Sequence, residues 1–466
     1  MPDSVFPEPA RGRRLRVAVI GSGISGLSCA WLLSQGHEVT VYEKNERLGG
    51  HSNTVVVPTP DGSIPVDTGF IVYNTLTYPN LTALLDHLGV ATHGTDMSFG
   101  VSIDAGRREY AGSTLPALFA QKRNILRPRF WSMLHDLVRF YRDAPKLLSE
   151  PGADALTLGE FLDREGYGEP FLTDHLLPMG AAIWSTAVED MRAHPATAFI
   201  RFCDNHGLLK LTGRPQWRTV VGGSREYVDR ISRPFADRVR LGVGARAVTR
   251  LGGSVMVEGT DGSVEVFDHV VLACHGDEAL PLLTDPTAEE SALLGAFRYQ
   301  PNTAWLHTDP ALMPKRKAVW SSWNYLSHTG RDGKAAVCVT YWMNKLQPLQ
   351  TRTDLFVTLN PDTPPRDEAV LRRIEYAHPL FDAAAVAAQK RLWSLQGDRN
   401  TWYCGAWFGA GFHEDGLQAG LAVAEALGGV RRPWSVPDES GRIVLRPLPA
   451  SGAASDGSGA RDEVAA

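Results

Sequence analysis

The first pattern along the chain is an unbroken apolar run, Val17 to Ile20, that stops at a glycine and gives way to "GLSCAWLLSQG", where Leu27, Ala30 and Leu33 recur at helical spacing. This predicts a buried strand over Arg16–Ile20, a tight turn, and a helix over Leu27–Ser34 closed by Gly36. "EVTVYE" follows as a second strand ending at Glu43. From about Tyr78 to Leu209 the pattern is helix-rich. "RVRLGVGARAVTRL" and "FDHVVLACH" return to strand character, and Phe297–Leu359, dense in Trp, Tyr, Val and Thr, reads as sheet. A glycine-punctuated helix from about Glu414 to Leu427 closes the ordered part. Residues 1–14 lack periodicity and predict disorder, as does most of a C-terminal extension over 433–466 that ends in "SGAASDGSGARDEVAA".

Nucleotide-binding features stand at both ends and in the middle of the chain, so the prediction is α/β with two discontinuous domains. A Rossmann-like three-layer domain would be built from 15–77, 210–290 and 385–432. An α+β substrate domain would be inserted as 78–209 and 291–384. At 466 residues the chain exceeds what one core usually serves, which agrees with two lobes. Composition mainly excludes: 43% apolar, 21% charged and a net charge of -5 describe an ordinary globular protein and argue against nucleic acid as a partner. Five cysteines without C-x-x-C spacing fit a reduced, cytoplasmic setting. No H-x-x-x-H or cysteine–histidine pattern suggests a metal.

The chemistry begins at the turn. Gly21, Gly23 and Gly26 have the spacing in which the first glycine makes the turn, the second admits a diphosphate to the backbone and the third lets helix and strand pack closely. The helix N-terminus offers free N–H groups to the anion. Glu43 stands where an acid binds ribose hydroxyls.

Continuing past Glu43, the run G-x-G-x-x-G-x-x-x-A, then Glu43, then R-x-G-G over Arg47–Gly50 resembles the fingerprint of the flavin-containing amine oxidase and carotenoid desaturase superfamily, in which FAD is held without dissociating. The likeness extends through "IPVDTGFIVYN", "VVGGSREYVDRI" and "WYCGAWFGAGFHEDGLQAGLAVAEAL". Within that superfamily, "DTGFIVYN", "LLPMGAAIWS", "RPQWRTVVGGS" and "GFHEDGL" mark a similarity to a bacterial subgroup of FAD-binding oxidoreductases and to the flavin domain fused to plant cyclopropane fatty acid synthases. The resemblance implies FAD, bound non-covalently, on Gly21, Ser22, Gly23, Ile24, Ser25, Gly26, Glu43, Lys44, Leu48, Gly49, Gly50 and His51. It extends the set to Gly69, Phe70, Ile71, Ala245, Gly405, Ala406, His413, Glu414, Gly416 and Leu417. His413 is the candidate catalytic residue, at a helix start that would face the flavin pyrimidine.

Departures shape the functional expectation. Where many relatives carry an acid after the C-terminal strand, this chain has Cys404-Gly405-Ala406-Trp407, and the strand that carries the amine oxidases' lysine is matched best by "QPNTAWLHT", with Asn302 and Thr303. The expectation is hydride transfer from a carbon of an apolar substrate to flavin N5, as in desaturation of a modified fatty acyl chain, with Trp184, Trp323, Tyr325, Tyr341 and Trp342 lining the substrate. A flavin amine oxidase acting on a small amine, and a non-catalytic lipid-binding relative, stay as alternatives, and the electron acceptor is left open. A peripheral membrane contact is expected from "RPRFWSMLHDLVRFYRD", where Phe130, Trp131, Met133, Leu134, Leu137, Val138, Phe140 and Tyr141 recur at helical spacing among Arg127, Arg129, Arg139 and Arg142.

Overall fold

In the computed structural model, which describes residues 13–184, 191–205, 207–210, 213–329 and 335–446, the chain opens as its apolar run demands. Arg16–Ile20 is the central strand of an all-parallel five-stranded sheet ordered Val239–Leu241, Glu38–Glu43, Arg16–Ile20, His269–Leu272, Thr401–Tyr403. Val17 to Ile20 are all buried, so both faces of the strand are covered, as parallel sheets require. Helices Ile24–Leu33 and His413–Gly428 pack on this core. A three-stranded antiparallel sheet (Ala245–Arg250, Val255–Gly259, Val264–Phe267) adds Val248, Val255, Val257 and Phe267 to it.

The first helix begins at Ile24, three residues before the expected Leu27, because glycine and serine positions that weaken apolar periodicity still take helical backbone here, packed against the second buried helix. That helix runs parallel to it: Gly416 lies against Ile24 and Ser25, Gly420 against Ser25 and Ser28, and Gly428 against Leu33. Both N-termini therefore converge on the turn that follows the first strand.

A seven-stranded sheet forms the second lobe, ordered Val370–Leu380, Arg298–His307, Phe356–Leu359, Ala335–Trp342, Trp323–Thr329, Phe99–Ile103, Arg108–Ala111. Its last two strands, and the strand Thr92–Thr95, lie inside the stretch expected to be helix-rich. They are too short to show alternation in sequence and form because tertiary pairing supplies their partners. Trp217–Val220 pairs with both Tyr73–Asn74 and Thr92–Thr95, joining segments expected on opposite sides of the domain boundary. The helical remainder, including Pro128–Asp143, closes over a separate apolar cluster with Phe140, Phe161, Phe171 and Phe199 at its centre.

The C-terminal extension departs most from expectation. Residues 1–12 and 447–466 lie outside the described residues, but 433–446 is packed. Trp434 stacks on Trp31 at 5.8 Å, Ile443 is buried, and Arg442 pairs with buried Asp415 at 2.8 Å. A few large side chains anchor this segment, and such isolated anchors leave no periodic signal.

Candidate flavin site

Each glycine of the turn does a distinct job. Gly21 has φ +102°, and an added Cβ would lie 2.8 Å from the Ala273 carbonyl oxygen on the neighbouring strand. A Cβ on Gly26 would meet the Gly21 oxygen at 2.0 Å. At Gly23 it would meet nothing within 4 Å, so this is where the backbone stands open to an incoming group. No side chain caps the first turn of the helix, which leaves its N–H groups and positive dipole end for an anion. Gly49 (φ +104°) and Gly50 (φ +56°) fold the following loop back onto the turn, with Gly49 N–H donating to the Ser22 carbonyl and Gly50 against Gly23.

Glu43 is buried at the end of its strand. One carboxylate oxygen accepts from Ser22 N–H (3.0 Å) and Ser22 Oγ (2.5 Å), the other from Asn45 N–H (2.9 Å) and Asn45 Nδ2 (2.8 Å). Lys44 turns away to pair with Glu278, and Gly244, next to Ala245, packs on the Lys44 stem. Leu48 packs against the main core.

The loop beyond Gly50 gathers aromatic and imidazole rings. His51 stacks on Tyr376 at 4.9 Å, lies 5.4 Å from His378 and 6.2 Å from His275, and its Nε2 is buried without a hydrogen-bond partner among the described residues. Burial, then the neighbouring His378, His275 and His413, hold its pKa well below the usual range. Gly69 packs on the His51 carbonyl, to which Phe70 N–H donates at 2.8 Å. Phe70 in turn stacks on His413, centroids 3.8 Å apart and rings 7° from parallel. His413 Nε2 is tied to the Tyr227 hydroxyl at 2.7 Å and Ser52 Oγ at 3.2 Å. Burial lowers its pKa to about 3, so the ring is neutral at neutral pH.

Gly405 is required by Trp407: a Cβ there would strike the indole nitrogen at 2.1 Å, and that nitrogen donates to the Cys274 carbonyl. Ala406 faces Gly416. The structure thus gathers two groups of expected site residues: Ser22, Gly23, Glu43, Gly49 and Gly50 around the fingerprint turn, and His51, Gly69, Phe70 and His413 at the ring cluster. Ile24, Ser25 and Leu417 are buried at the helix–helix contact, and Ile71 belongs to the core beneath the seven-stranded sheet.

The Glu414 carboxylate is engaged by another segment of the chain. It accepts from Asn80 N–H, Asn80 Nδ2, Leu81 N–H and Gln418 Nε2 at 2.8–3.1 Å, capping the helix Pro79–His87. Its neighbour Asp415 bonds back to Phe412 N–H (2.7 Å) and closes its own helix. An acid at a helix start serves either an anion site or a cap, and sequence cannot say which.

Of the expected substrate aromatics, Trp323, Tyr325 and Tyr341 share one face of the seven-stranded sheet through the register Trp323↔Tyr341 and Tyr325↔Val339. Trp342 takes the opposite face, edge-on to Trp320 at 5.4 Å and bonded to Asp354. The period of two makes adjacent residues diverge, so Tyr341 and Trp342 cannot both line one surface. Trp184 ends the helix Leu177–Trp184, and its side chain lies outside the described residues.

Sequence reasoning missed Tyr227, Ser52, His275, Tyr376, His378 and Asp67. Asp67 was within reach, since it sits in the quoted "PVDTGF". Its buried carboxylate accepts from Ser224 N–H and Oγ, Thr54 Oγ1 and Gln347 Nε2, tying the two lobes together, and burial raises its pKa to about 6.

The residues fit a dinucleotide on three counts: a cradle open only at Gly23, an uncapped helix N-terminus beside it, and the unpartnered Nε2 of His51 in the ring cluster beyond. The family model for flavin containing amine oxidoreductases matches residues 24–427. The chain belongs to that family. Its nucleotide is FAD. Among relatives, the flavin-containing amine oxidase A of Sus scrofa is 25% identical over 274 residues, 56% of this chain and 50% of the pig protein. The chain spans about half the length of the curated relatives it matches. A wild-type putrescine oxidase bound to putrescine superposes with TM-score 0.63 at 15% identity, over 88% of this chain and 98% of the other. A CLA-producing fatty acid isomerase from P. acnes does so with TM-score 0.60 at 17% identity, over 88% and 97%. At these identities the superpositions establish a shared fold, the FAD-binding α/β architecture.

Proposed function

We propose that the protein is an FAD-dependent oxidoreductase that removes hydride from a carbon of an uncharged, elongated substrate, most simply a fatty acyl chain. The observation that carries this reading is the face of the seven-stranded sheet that begins at Tyr376 beside His51, most of which is packed core, with half-buried Ile374, Tyr341 and Trp323 as the part left for a substrate. Strand by strand it presents Tyr376 and Ile374, Asn302 and Ala304, Val357 and Leu359, Val339 and Tyr341, Trp323 and Tyr325, then Val101 and Tyr110. The residues in this set are uncharged, with Arg372 and Arg108 following on the same face in the two edge strands, and the opposite face carries Thr303, Thr340, Thr358, Asn324 and Glu109. An ammonium ion would be poorly solvated along such a surface and a methylene chain would not.

When bound, FAD supplies a two-electron acceptor at its ring nitrogen. Glu43 would offer the ribose the acceptor sites now held by the Ser22 and Asn45 side chains, and Gly23 with the first helical turn would take the diphosphate. Phe70 and neutral His413, stacked on each other, would help hold the ring. Asn302 Nδ2 lies 3.1 Å from His378 Nδ1, and burial, with help from His275, keeps the His378 pKa near about 4, so this pair contributes polarity without charge. Support for the acyl class also comes from the likeness of the sequence motifs to flavin domains fused to cyclopropane fatty acid synthases and from the fold shared with a fatty acid isomerase. FAD held non-covalently and an apolar substrate belong to the same proposal.

The test is anaerobic mixing of purified holoprotein with acyl lipids (unsaturated, methyl-branched and cyclopropane) and, separately, with putrescine and benzylamine. Bleaching of the visible flavin band by an acyl lipid is the expected result. Bleaching by the amines alone would replace this reading with amine oxidation.

A further inference from the structure

Between the strand Arg108–Ala111 and the helix Pro128–Asp143 the chain makes two short helical turns, Leu115–Leu118 and Lys122–Leu126, and leaves large apolar side chains outside. Leu126 is 86% exposed, Leu115 72%, Trp131 50% and Ile125 49%. Single exposed apolar residues need no explanation, but a contiguous group does. Here the group is held together: Trp131 Nε1 donates to the Ile125 carbonyl at 2.9 Å, and the Trp131 ring lies 5.8 Å from Phe119, whose N–H donates one turn back to Leu115. The tryptophan's one polar atom is satisfied internally while half its surface faces solvent.

The charges around this group are equally unusual. The arginines elsewhere on the Pro128–Asp143 helix are neutralised, Arg129 by Glu169 and Asp174, Arg139 by Asp136, Arg142 by Asp143. Lys122, Arg123, Arg127 and Arg107 have no carboxylate within ion-pair distance among the described residues. Arg123 instead donates to the Arg107 carbonyl, drawing the two together. Partial burial, and then the repulsion of Arg123, Arg107 and Arg108, lowers the Arg127 pKa. A chain of net charge -5 thus keeps an uncompensated basic cluster around bare leucine, isoleucine and tryptophan.

Only Trp131, in the first turn of the helix, belongs to this exposed group; most of the remaining apolar face that the sequence suggests for docking is turned inward. Phe130, Met133 and Phe140 are buried, and Phe130 and Met133 pack with Tyr110 and Tyr325 at the far end of the seven-stranded sheet. Its amphipathicity is spent on the core.

We propose that the patch from Leu115 to Trp131 docks the protein on an anionic lipid bilayer, with Leu126, Ile125 and Trp131 entering the interface and Lys122, Arg123, Arg127 and Arg107 meeting headgroup phosphates. A bilayer matches both halves of the patch, since nucleic acid would answer the cations but not cover Leu126, and an interface of lipid takes up both. The inference stands on this surface alone and does not depend on the flavin chemistry proposed above.

Co-sedimentation of holoprotein with phosphatidylcholine vesicles, with and without phosphatidylglycerol, at low and high salt tests it. The wild type should partition to the phosphatidylglycerol vesicles at low salt and be released by high salt. Lys122→Glu with Leu126→Glu, two exposed side chains, should cut the partition constant by at least about tenfold. Val264→Glu, at an exposed site on the antiparallel sheet, should leave it unchanged. Trp131→Ala gives a second reading of the same surface should the double variant fail to keep the wild-type melting temperature. The proposal is overturned if the wild type does not bind, if a folded patch variant binds as well as the wild type, or if Val264→Glu loses as much. It is also overturned if the patch instead drives concentration-dependent dimers that ignore vesicles.

Discussion

Gly420 of the C-terminal helix lies directly against the Ser25 carbonyl of the fingerprint helix, so that an added Cβ would sit 2.2 Å from that oxygen and 2.4 Å from Ser28 Oγ. The contact is made by backbone on one side, which cannot rotate away. It sets how close the two helices run, and so where their two N-termini stand relative to the turn at Gly23. Gly420→Ala should cost about 1–3 kcal/mol of stability by overpacking and should also weaken FAD retention. A melting curve and a flavin-release assay check both, and a variant that melts like the wild type with unaltered FAD affinity would contradict the role given to this contact.

Glu43 separates two effects that a single variant would merge. Its carboxylate already holds Ser22 and Asn45, so Glu43→Ala strips buried donors of their acceptor and should lose roughly 1–3 kcal/mol of stability as well as FAD. Glu43→Gln keeps the shape but turns an NH2 toward donors that one carboxylate oxygen now accepts, and should lose part of that stability while binding FAD about ten- to hundredfold more weakly, a loss of one charge-assisted bond pair. Equilibrium dialysis of the deflavinated proteins measures the difference. Equal affinity of wild type and Glu43→Gln would remove Glu43 from the ribose site.

How much of this was legible in advance follows from how local each cause is. The turn at Gly21, the two flanking strands and Glu43 act within one supersecondary unit, and the sequence pattern is the physical cause itself. Phe70 and His413 came from resemblance, and their stacking joins segments more than 300 residues apart, which no spacing encodes. The capping role of the Glu414 carboxylate was not legible because a helix-start carboxylate has two possible customers, and the Asn80–Leu81 N–H groups that bind it arrive from elsewhere. For Trp342 the strand was legible and its facing was not. Helical spacing marked Phe130 and Phe140, which are core, while exposed Leu115, Ile125 and Leu126 lie in short turns without any period and only Trp131 of the exposed group stands on the helix.

Acid sensitivity should be visible at His307. Its Nδ1 accepts from Asp309 N–H at 3.0 Å, which leaves the Nε2 proton to be donated to Thr358 Oγ1 at 2.7 Å. A second proton would set N–H against N–H, and burial lowers the pKa to about 4, partly opposed by Asp309. The unfolded chain protonates this ring near its ordinary value of about 6.5. Below that pH the unfolded state binds a proton that the folded state refuses, so the stability contribution is complete above about 6.5 and is lost as pH falls toward 4. His378 and His413, with pKa near about 4 and about 3, add to the loss in the same direction, while Asp67, raised to about 6, works against it. Urea stability measured from pH 7 to 5 should fall, and His307→Gln should flatten the slope by up to one proton's worth. A parallel slope in the variant would show that this histidine titrates normally.

The flavin should leave with acid or heat. Cys404 is buried and shares its contact with Cys29 across the first helix, and burial pushes its thiol well above the ordinary range. A thiol so placed is held as packing and not as a nucleophile. Precipitated protein should be colourless with FAD in the supernatant. Colour remaining in the washed precipitate would establish a covalent link and overturn the non-covalent assignment.

The segment after the last helix should prove part of the fold and not a tail. Arg432 is fully buried and forms a two-point pair with buried Glu425, Nε to Oε1 at 2.7 Å and Nη2 to Oε2 at 2.8 Å, while its Nη1 donates to Asn80 Oδ1 at 2.8 Å. Asn80 is the residue whose amide also serves Glu414, so Arg432 links the end of the C-terminal helix to the Pro79–His87 helix and, through it, to the helix start near Phe70. Removing one partner of such a pair leaves an uncompensated buried charge, typically worth about 3–5 kcal/mol. Arg432→Met should therefore destabilise by an amount toward the lower end of that range, because Arg431 also reaches Glu425 at 2.9 Å from a half-exposed position. The double change Arg432→Met with Glu425→Leu should recover much of the loss, since it removes both charges together. A chain stopped after Arg446 keeps every one of these contacts, whereas a chain stopped after Val430 loses Arg432, Trp434 and Arg442 together and should melt lower than the chain stopped at Arg446 and fail to retain FAD. Normal melting and flavin content in the shorter chain would show that the anchors contribute nothing.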